Sequence, residues 1–155
     1  MGAIRDKIIN TIINRLANEG NKLIIQAFSQ ADFNKNKTQN LHDSYGSAVY
    51  YNGKLVQGTQ RFMTNLAKVG RYNSYTQQVE YGREEIESFF RDYKANNKGF
   101  ELVIAVAMFY GTCLEEGSGN LKRKYRVISS VADEVQALAS KYKGTVRRIK
   151  EGVKQ

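Results

Sequence analysis

Apolar residues recur at helical spacing along the first thirty positions. Ile8, Ile9, Ile12, Ile13 and Leu16 share one broad face, and Leu23, Ile24, Ala27, Phe28 and Ala31 continue it. This spacing predicts a single amphipathic helix over 4–32. Gly20 sits between the two halves and costs about 1 kcal/mol against alanine in a helix. It leaves the stripe in phase, so the helix is expected to run through it with a bend. Residues 33–43 are polar and rich in Asn and Lys, which predicts a loop. The β-prone run Tyr45–Tyr51 follows, and Asn52-Gly53 behind it is a strong hairpin signal, because both turn positions need positive φ. Lys54, Leu55 and Val56 then begin a return strand.

The next stretch, 57–83, breaks the pattern and reads as an insertion. Inside it Phe62, Leu66 and Val69 keep helical spacing, with Thr59 as the expected N-cap and Gly70 just past the end. Arg71 to Gly82 is polar, carries Tyr72, Tyr75 and Tyr81, and is expected to be irregular. Helix returns over 84–96, where Ile86, Phe89, Phe90 and Tyr93 form a stripe and Glu84, Glu85 and Glu87 favour the first turn. Residues 100–108, FELVIAVAM, are apolar on both faces and are expected to form a central strand. Tyr125–Ser129 is expected to be a further strand. Ser130 and Asp133 resemble a capping box before a short helix that ends ahead of Gly144.

Hydrophobic residues make up 41% of the 155 positions and charged ones 25%, ordinary values for one globular domain. No apolar run is long enough to span a bilayer, and the expected product is cytosolic. The chain has no proline, so its turns fall to Gly, Asn, Asp and Ser. The net charge of +9 is unevenly placed: residues 121–155 hold ten Lys/Arg against three Asp/Glu, while the first 120 hold 14 against 12. Any basic partner surface therefore belongs to the last quarter.

Candidate chemistry is sparse. His42 and Cys113 stand alone in their types, and nothing in their spacing brings them together as a nucleophile and base or provides a zinc ligand set. Glu115 and Glu116 are adjacent, and adjacent side chains point apart in helix or strand, so they form no acid/base dyad by themselves. Gly117-Ser-Gly119 is too short for a phosphate loop. The chain is therefore expected not to be an enzyme and to need no cofactor or metal. Lys122, Arg123, Lys124 and Arg126, with Tyr125 interleaved, and Arg147, Arg148 and Lys150 are the candidate contacts to DNA or to an acidic partner.

Two segments carry a resemblance. The first is Thr38-Gln-Asn-Leu41-His-Asp43-Ser44-Tyr-Gly46, ahead of the first strand. The second is Phe100–Tyr110 followed by Gly-Thr-Cys-Leu-Glu115-Glu-Gly117. Together they resemble the head–tail joining, or tail-completion, proteins of tailed double-stranded DNA bacteriophages. In that family a long helix leads to a T-G-x-L-x-x-S turn and strand, and a later apolar strand ends in P-Y-A-x-x-x-E-x-G. Asn40 stands here in place of Gly, and Phe109 and Gly111 in place of Pro and Ala.

The resemblance covers roughly 4–143. It implies a ring-forming structural subunit of the phage neck or tail top. Its partners would be copies of itself, the portal, neighbouring neck or tail proteins and possible packaged DNA, with no membrane and no small-molecule substrate. It would reside in the virion, after assembly in the host cytoplasm. Thr38, Leu41, Asp43, Ser44, Tyr110, Glu115 and Gly117 are the motif positions; Asp43 or Ser44 would set the turn, and Glu115 would offer a charge to a neighbour.

The expected fold is a single α+β domain, a long N-terminal helix packed on a small, mostly antiparallel sheet with two or more further helices. It spans 1–144, with the insertion at 57–83 and a basic tail at 145–155. The competing reading is a small basic DNA-binding protein of a phage or mobile element.

Overall fold

The computed structural model describes residues 2–30, 44–62, 71–73, 77–107, 128–142 and 144. The fold is α+β. Helix α1 covers Gly2–Gln30. Strand β1, Tyr45–Tyr51, turns at Asn52-Gly53 into the short β2, Lys54–Leu55. Both turn residues have positive φ, 51° and 85°, the signature of the hairpin turn their sequence predicts. Strand β3 is Arg61–Phe62, β4 is Arg71–Asn73 and β5 is Gln78–Glu80. Helix α2, Gly82–Asp92, leads to β6, Phe100–Val106. A single 3-10 turn, Ser129–Val131, opens helix α3, Ala132–Lys141.

β1 is the spine. It pairs antiparallel with β6 along its whole length on one side, from Tyr45↔Val106 to Tyr51↔Phe100. On its other side it pairs with β2 at one end and β3 at the other. β2 and β3 thus behave as one return strand, with residues 56–60 bulging out opposite Ala48 and Val49. Every residue from Tyr45 to Tyr50 is buried, because helices cover both faces of the sheet.

The alternation of β1 divides the core between those helices. Tyr45 packs with Leu23, Ile24 and Ala27 of α1 and with Val131. Val49 packs with Ile13, Leu16 and Ala17, and Tyr51 joins that cluster at its margin with Ile9 and Ile12. Ala48 and Tyr50 face the other way, onto Ile86 and Phe90 of α2. Helix α1 therefore runs antiparallel to β1. α3 lies on the same side, Val135 and Leu138 against one cluster and Tyr142 against the other, tied to α1 by Gln26 Nε2 donating to Glu134 Oε1 at 3.1 Å.

Two glycines mark where the layers touch. A Cβ on Gly20 would sit 2.8 Å from Leu102 Cδ1 and from Ser47 Oγ. Gly20 thus permits α1 to cross the sheet closely, and its helix-propensity cost is offset by that contact. On the opposite face, a Cβ on Gly46 would sit 2.9 Å from the Arg61 carbonyl and 3.1 Å from Ile86 and Phe90.

Several expectations are corrected. The helix predicted from Thr59 does not begin there: Arg61–Phe62 is strand, and 63–70, with Leu66, Val69 and Gly70, lies outside the described residues. Thr59 is instead a core brace, accepting from the Val49 N–H at 3.1 Å and donating to the Val56 carbonyl at 2.7 Å. The stretch expected to be irregular contains the β4–β5 hairpin. α2 stops at Asp92, four residues early, because Tyr93 turns extended and its hydroxyl donates to Glu101.

β6 is not central. Among the described residues it has a partner on one side only, and β1 holds the middle. Ser130 does not cap α3. It donates to the Ala27 carbonyl at 3.3 Å, and Ser129 is in the 3-10 turn rather than a strand; Tyr125–Val127 lie outside the described residues. Ile8 is exposed, because it lies on the side of α1 away from Ile13, Leu16 and Ala17, and because α1, about 43 Å long, outruns a sheet whose spine is about 23 Å.

Gly20→Ala should therefore lower stability by about 1–3 kcal/mol despite its better helix propensity, whereas Gly2→Ala, with nothing within 4 Å, should not. Ser47 Oγ is buried with no hydrogen-bond partner among the described residues, so Ser47→Ala should be neutral or stabilising. In the double variant it should recover part of the Gly20→Ala loss. Urea unfolding of the four chains measures the coupling.

Candidate functional site

The β1–β6 register decides where the two family-like segments meet. Tyr45 faces Val106, and one residue further out the Ala107 N–H donates to the Ser44 carbonyl at 3.0 Å. The segment that ends at Ser44 and the segment that begins after Ala107 thus leave the sheet side by side, at the same end. Ser44 is fully buried in a turn, so the start of β1 is fixed rather than frayed. Ile128, where the chain returns, packs against the cluster of Tyr45 and Val131, with Ile104 and Val106 at its margin. The described residues next to these stretches, Ala27, Ser44, Ala107 and Ile128, therefore all lie at that end.

Of the predicted motif positions, Ser44 alone is among the described residues. Thr38, Leu41 and Asp43 attach through it, and Tyr110, Glu115 and Gly117 attach beyond Ala107; all six lie outside the described residues, as do His42, Cys113 and Glu116. The basic candidates Lys122, Arg123, Lys124 and Arg126, and Arg147, Arg148 and Lys150, also lie outside them. Their points of attachment differ. The first group joins the fold at Ile128, against the Tyr45 cluster. The second follows Gly144, after Tyr142 has reached the Val49 cluster. The two groups leave from opposite ends of α3, whose last turn closes with the Gly144 N–H donating to the Ala139 carbonyl at 2.7 Å.

At the other end of the sheet a polar network locks α2 to β6. Tyr50 donates to the Phe90 carbonyl. Tyr93 donates to Glu101 Oε1 at 2.6 Å, and the Asn96 N–H donates to Glu101 Oε2 at 2.9 Å. The Tyr50 and Tyr93 rings lie 5.3 Å apart. Nearby, the Asn52 N–H donates to the Gly99 carbonyl at 2.9 Å, and the Gly99 N–H donates back to Asn52 Oδ1 at 2.8 Å. The stripe of α2 was readable in the sequence; these ties were not, because each joins a residue to a partner in another element. Burial, with repulsion from Tyr93 and Glu101, pushes the Tyr50 phenol well above its ordinary value of 10.0. The Glu101 carboxylate, with both oxygens engaged, is a strut.

Among the described residues no group of three or more His, Cys, Asp and Glu could hold a metal ion. None of their helices is long and apolar enough to cross a membrane. The surface instead offers exposed apolar residues: Ile4, Ile8 and Ile25 on α1, Val79 and Tyr81 ahead of α2, and Phe100 at the start of β6. The chain matches no protein-family model, no curated protein and no solved structure.

Tyr50→Phe should cost about 1 kcal/mol at neutral pH by deleting the bond to the Phe90 carbonyl. The phenol's raised value means its contribution is complete below pH 10 and is lost as pH climbs from there, because the unfolded chain ionises first. The gap between wild type and Tyr50→Phe in thermal unfolding should therefore shrink above pH 10.

Proposed function

We propose that this chain is a structural, ring-forming subunit of the neck or tail-completion region of a tailed bacteriophage, acting by assembly rather than catalysis. The observation that carries the reading is the Ser44–Ala107 pairing, which joins the described ends of the two family-like segments at one end of the sheet. Motifs 60 or more residues apart in sequence are more informative when the fold joins them.

The architecture supports the same reading. Helices on the two faces of one sheet give the molecule two unlike sides, α1 with α3 on one and α2 on the other. A ring needs unlike sides, since each copy presents one surface to the copy ahead and a different one to the copy behind. The spine and its two helix layers hold Ser44 and Ala107, the residues from which the motif-bearing segments continue, together at one edge. In a neck, such segments would reach the rings above and below.

The rival DNA-binding reading needs clustered Lys/Arg on one side of the fold. The two basic groups instead attach at opposite ends of α3, so nothing in the described fold gathers them.

Sedimentation of the purified chain at tens of micromolar tests the proposal. The expected result is a closed oligomer of defined mass. That mass should persist when Lys122, Arg123, Lys124 and Arg126 are changed together to Gln. A monomer that binds duplex DNA tightly at low salt and releases it at high salt would overturn the reading in favour of nucleic-acid binding.

A further inference from the structure

The first seven residues of α1 are all exposed, and they extend past the end of the sheet. Ile4 is 69% exposed and Ile8 56%. At about 3.6 residues per turn, Lys7, Ile4, Ile8 and Arg5 share one side of the helix. Arg15 falls on that side two turns later, and Asp6 falls on the opposite one. This is a small apolar ridge with cationic flanks, turned away from its own core.

A matching surface lies on the other side of the molecule. Val79 is 53% exposed on β5, and Tyr81, 40% exposed, immediately precedes α2. Glu84 and Glu87 are exposed on the outer side of α2, away from the buried Gly82, Ile86 and Phe90. Arg91 follows one turn later on the same side. This patch is apolar with two carboxylates and one guanidinium as neighbours, a net anionic surround.

The geometry points to a specific contact between copies, an inference that rests on the ring reading above. The amino-terminal turns of α1 of one copy dock on the Val79–Tyr81 surface of the next, with Arg5 and Lys7 facing Glu84 and Glu87. Charge complementarity selects a second copy over other occupants: each chain carries both halves, basic with apolar and acidic with apolar, on opposite faces of its sheet. Such a contact is heterologous, so it propagates from copy to copy and closes if the rotation between copies allows. The apolar residues supply the buried centre and the charges set register and orientation.

Charge reversal tests it. Arg5→Glu with Lys7→Glu gives a chain whose two surfaces are both acidic; Glu84→Lys with Glu87→Lys gives one whose surfaces are both basic. All four residues are exposed, so both chains should fold, with wild-type circular dichroism. Each alone should associate about tenfold or more weakly than wild type. Mixed at equal ratio they should associate again, because each now complements the other.

Cross-linking supplies the second readout. In a Cys113→Ser background, Ile4→Cys mixed with Val79→Cys should give an intermolecular product with a short bismaleimide, and neither should self-link efficiently. If wild type forms the closed oligomer but these residues do not cross-link and the reversed chains assemble normally, the contact is wrong and the ring reading stands. If wild type remains a monomer at every concentration, both fall. Binding of wild type to phosphatidylcholine–phosphatidylglycerol vesicles, lost in Ile4→Asp with Ile8→Asp, would make the ridge a membrane contact and overturn the proposal.

Discussion

The fold depends on one strand with two buried faces. A strand in a two-layer α+β protein usually shows one face to water, and its sequence alternates accordingly. β1 cannot alternate, because α1 covers its Tyr45, Ser47 and Val49 side while α2 covers its Gly46, Ala48 and Tyr50 side. The small residues in YGSAVYY answer to this. Ser47 lies under Gly20 and Gly46 lies under Ile86 and Phe90, so each helix crosses the strand where side-chain bulk is least. Tyr45 and Tyr50, towards the two ends, are buried against the helices, and the Tyr50 hydroxyl reaches the last turn of α2. Larger residues at 46 or 47 would push a whole layer outward, which is why close interiors tolerate volume changes poorly.

How much of this was legible in the sequence follows from how local each signal was. α1, β1 with its Asn52-Gly53 turn, and the apolar strand of β6 depend on spacing within a few residues, and they stand where the pattern places them. Thr59 and Ser130 carry helix-cap chemistry in sequence but use it outside any helix start, Thr59 on Val56 three residues back and on Val49 across the sheet, Ser130 on Ala27. A hydroxyl beside an apolar run reads the same in either use, and only the partner distinguishes them. The apolar richness of FELVIAV was taken for a central position. It arises because both helix layers extend over β6: Leu102, Ile104 and Val106 lie against the α1 side, Val103 and Ala105 against α2. Ile8 belongs to the broad apolar face drawn from spacing, but it lies about 140° around the helix from Ile13 and points away from the buried side, so it is exposed.

The same limit governs the candidate site. Its motif residues were chosen by order along the chain, and the register of β1 with β6 brings their two segments together at Ser44 and Ala107. The two basic groups were taken together because they share the last quarter of the sequence. α3 separates the points where they attach, since a helix lying along the sheet carries its two ends to different clusters. Sequence neighbourhood is a weak guide to surface neighbourhood whenever a helix intervenes.

An assembly subunit, as proposed for this chain, has a constraint that a free-standing domain lacks: it must keep apolar surface exposed until a copy arrives, without joining copies in the wrong arrangement. Extended apolar patches promote promiscuous contact. Four of the exposed apolar residues fall in two small groups, Ile4 and Ile8 with Arg5 and Lys7 as flanks, and Val79 and Tyr81 near Glu84 and Glu87, with Arg91 following on the acidic side. Two like groups meeting would bring like charges together and leave them partly desolvated, which opposes the symmetric pairing that would end in a closed dimer. Unlike groups meeting satisfy both terms, and that arrangement can continue from copy to copy. The three-layer body makes this possible, because a sheet covered on both faces holds the two groups apart at fixed orientation, and ring closure requires that orientation to be the same in every copy.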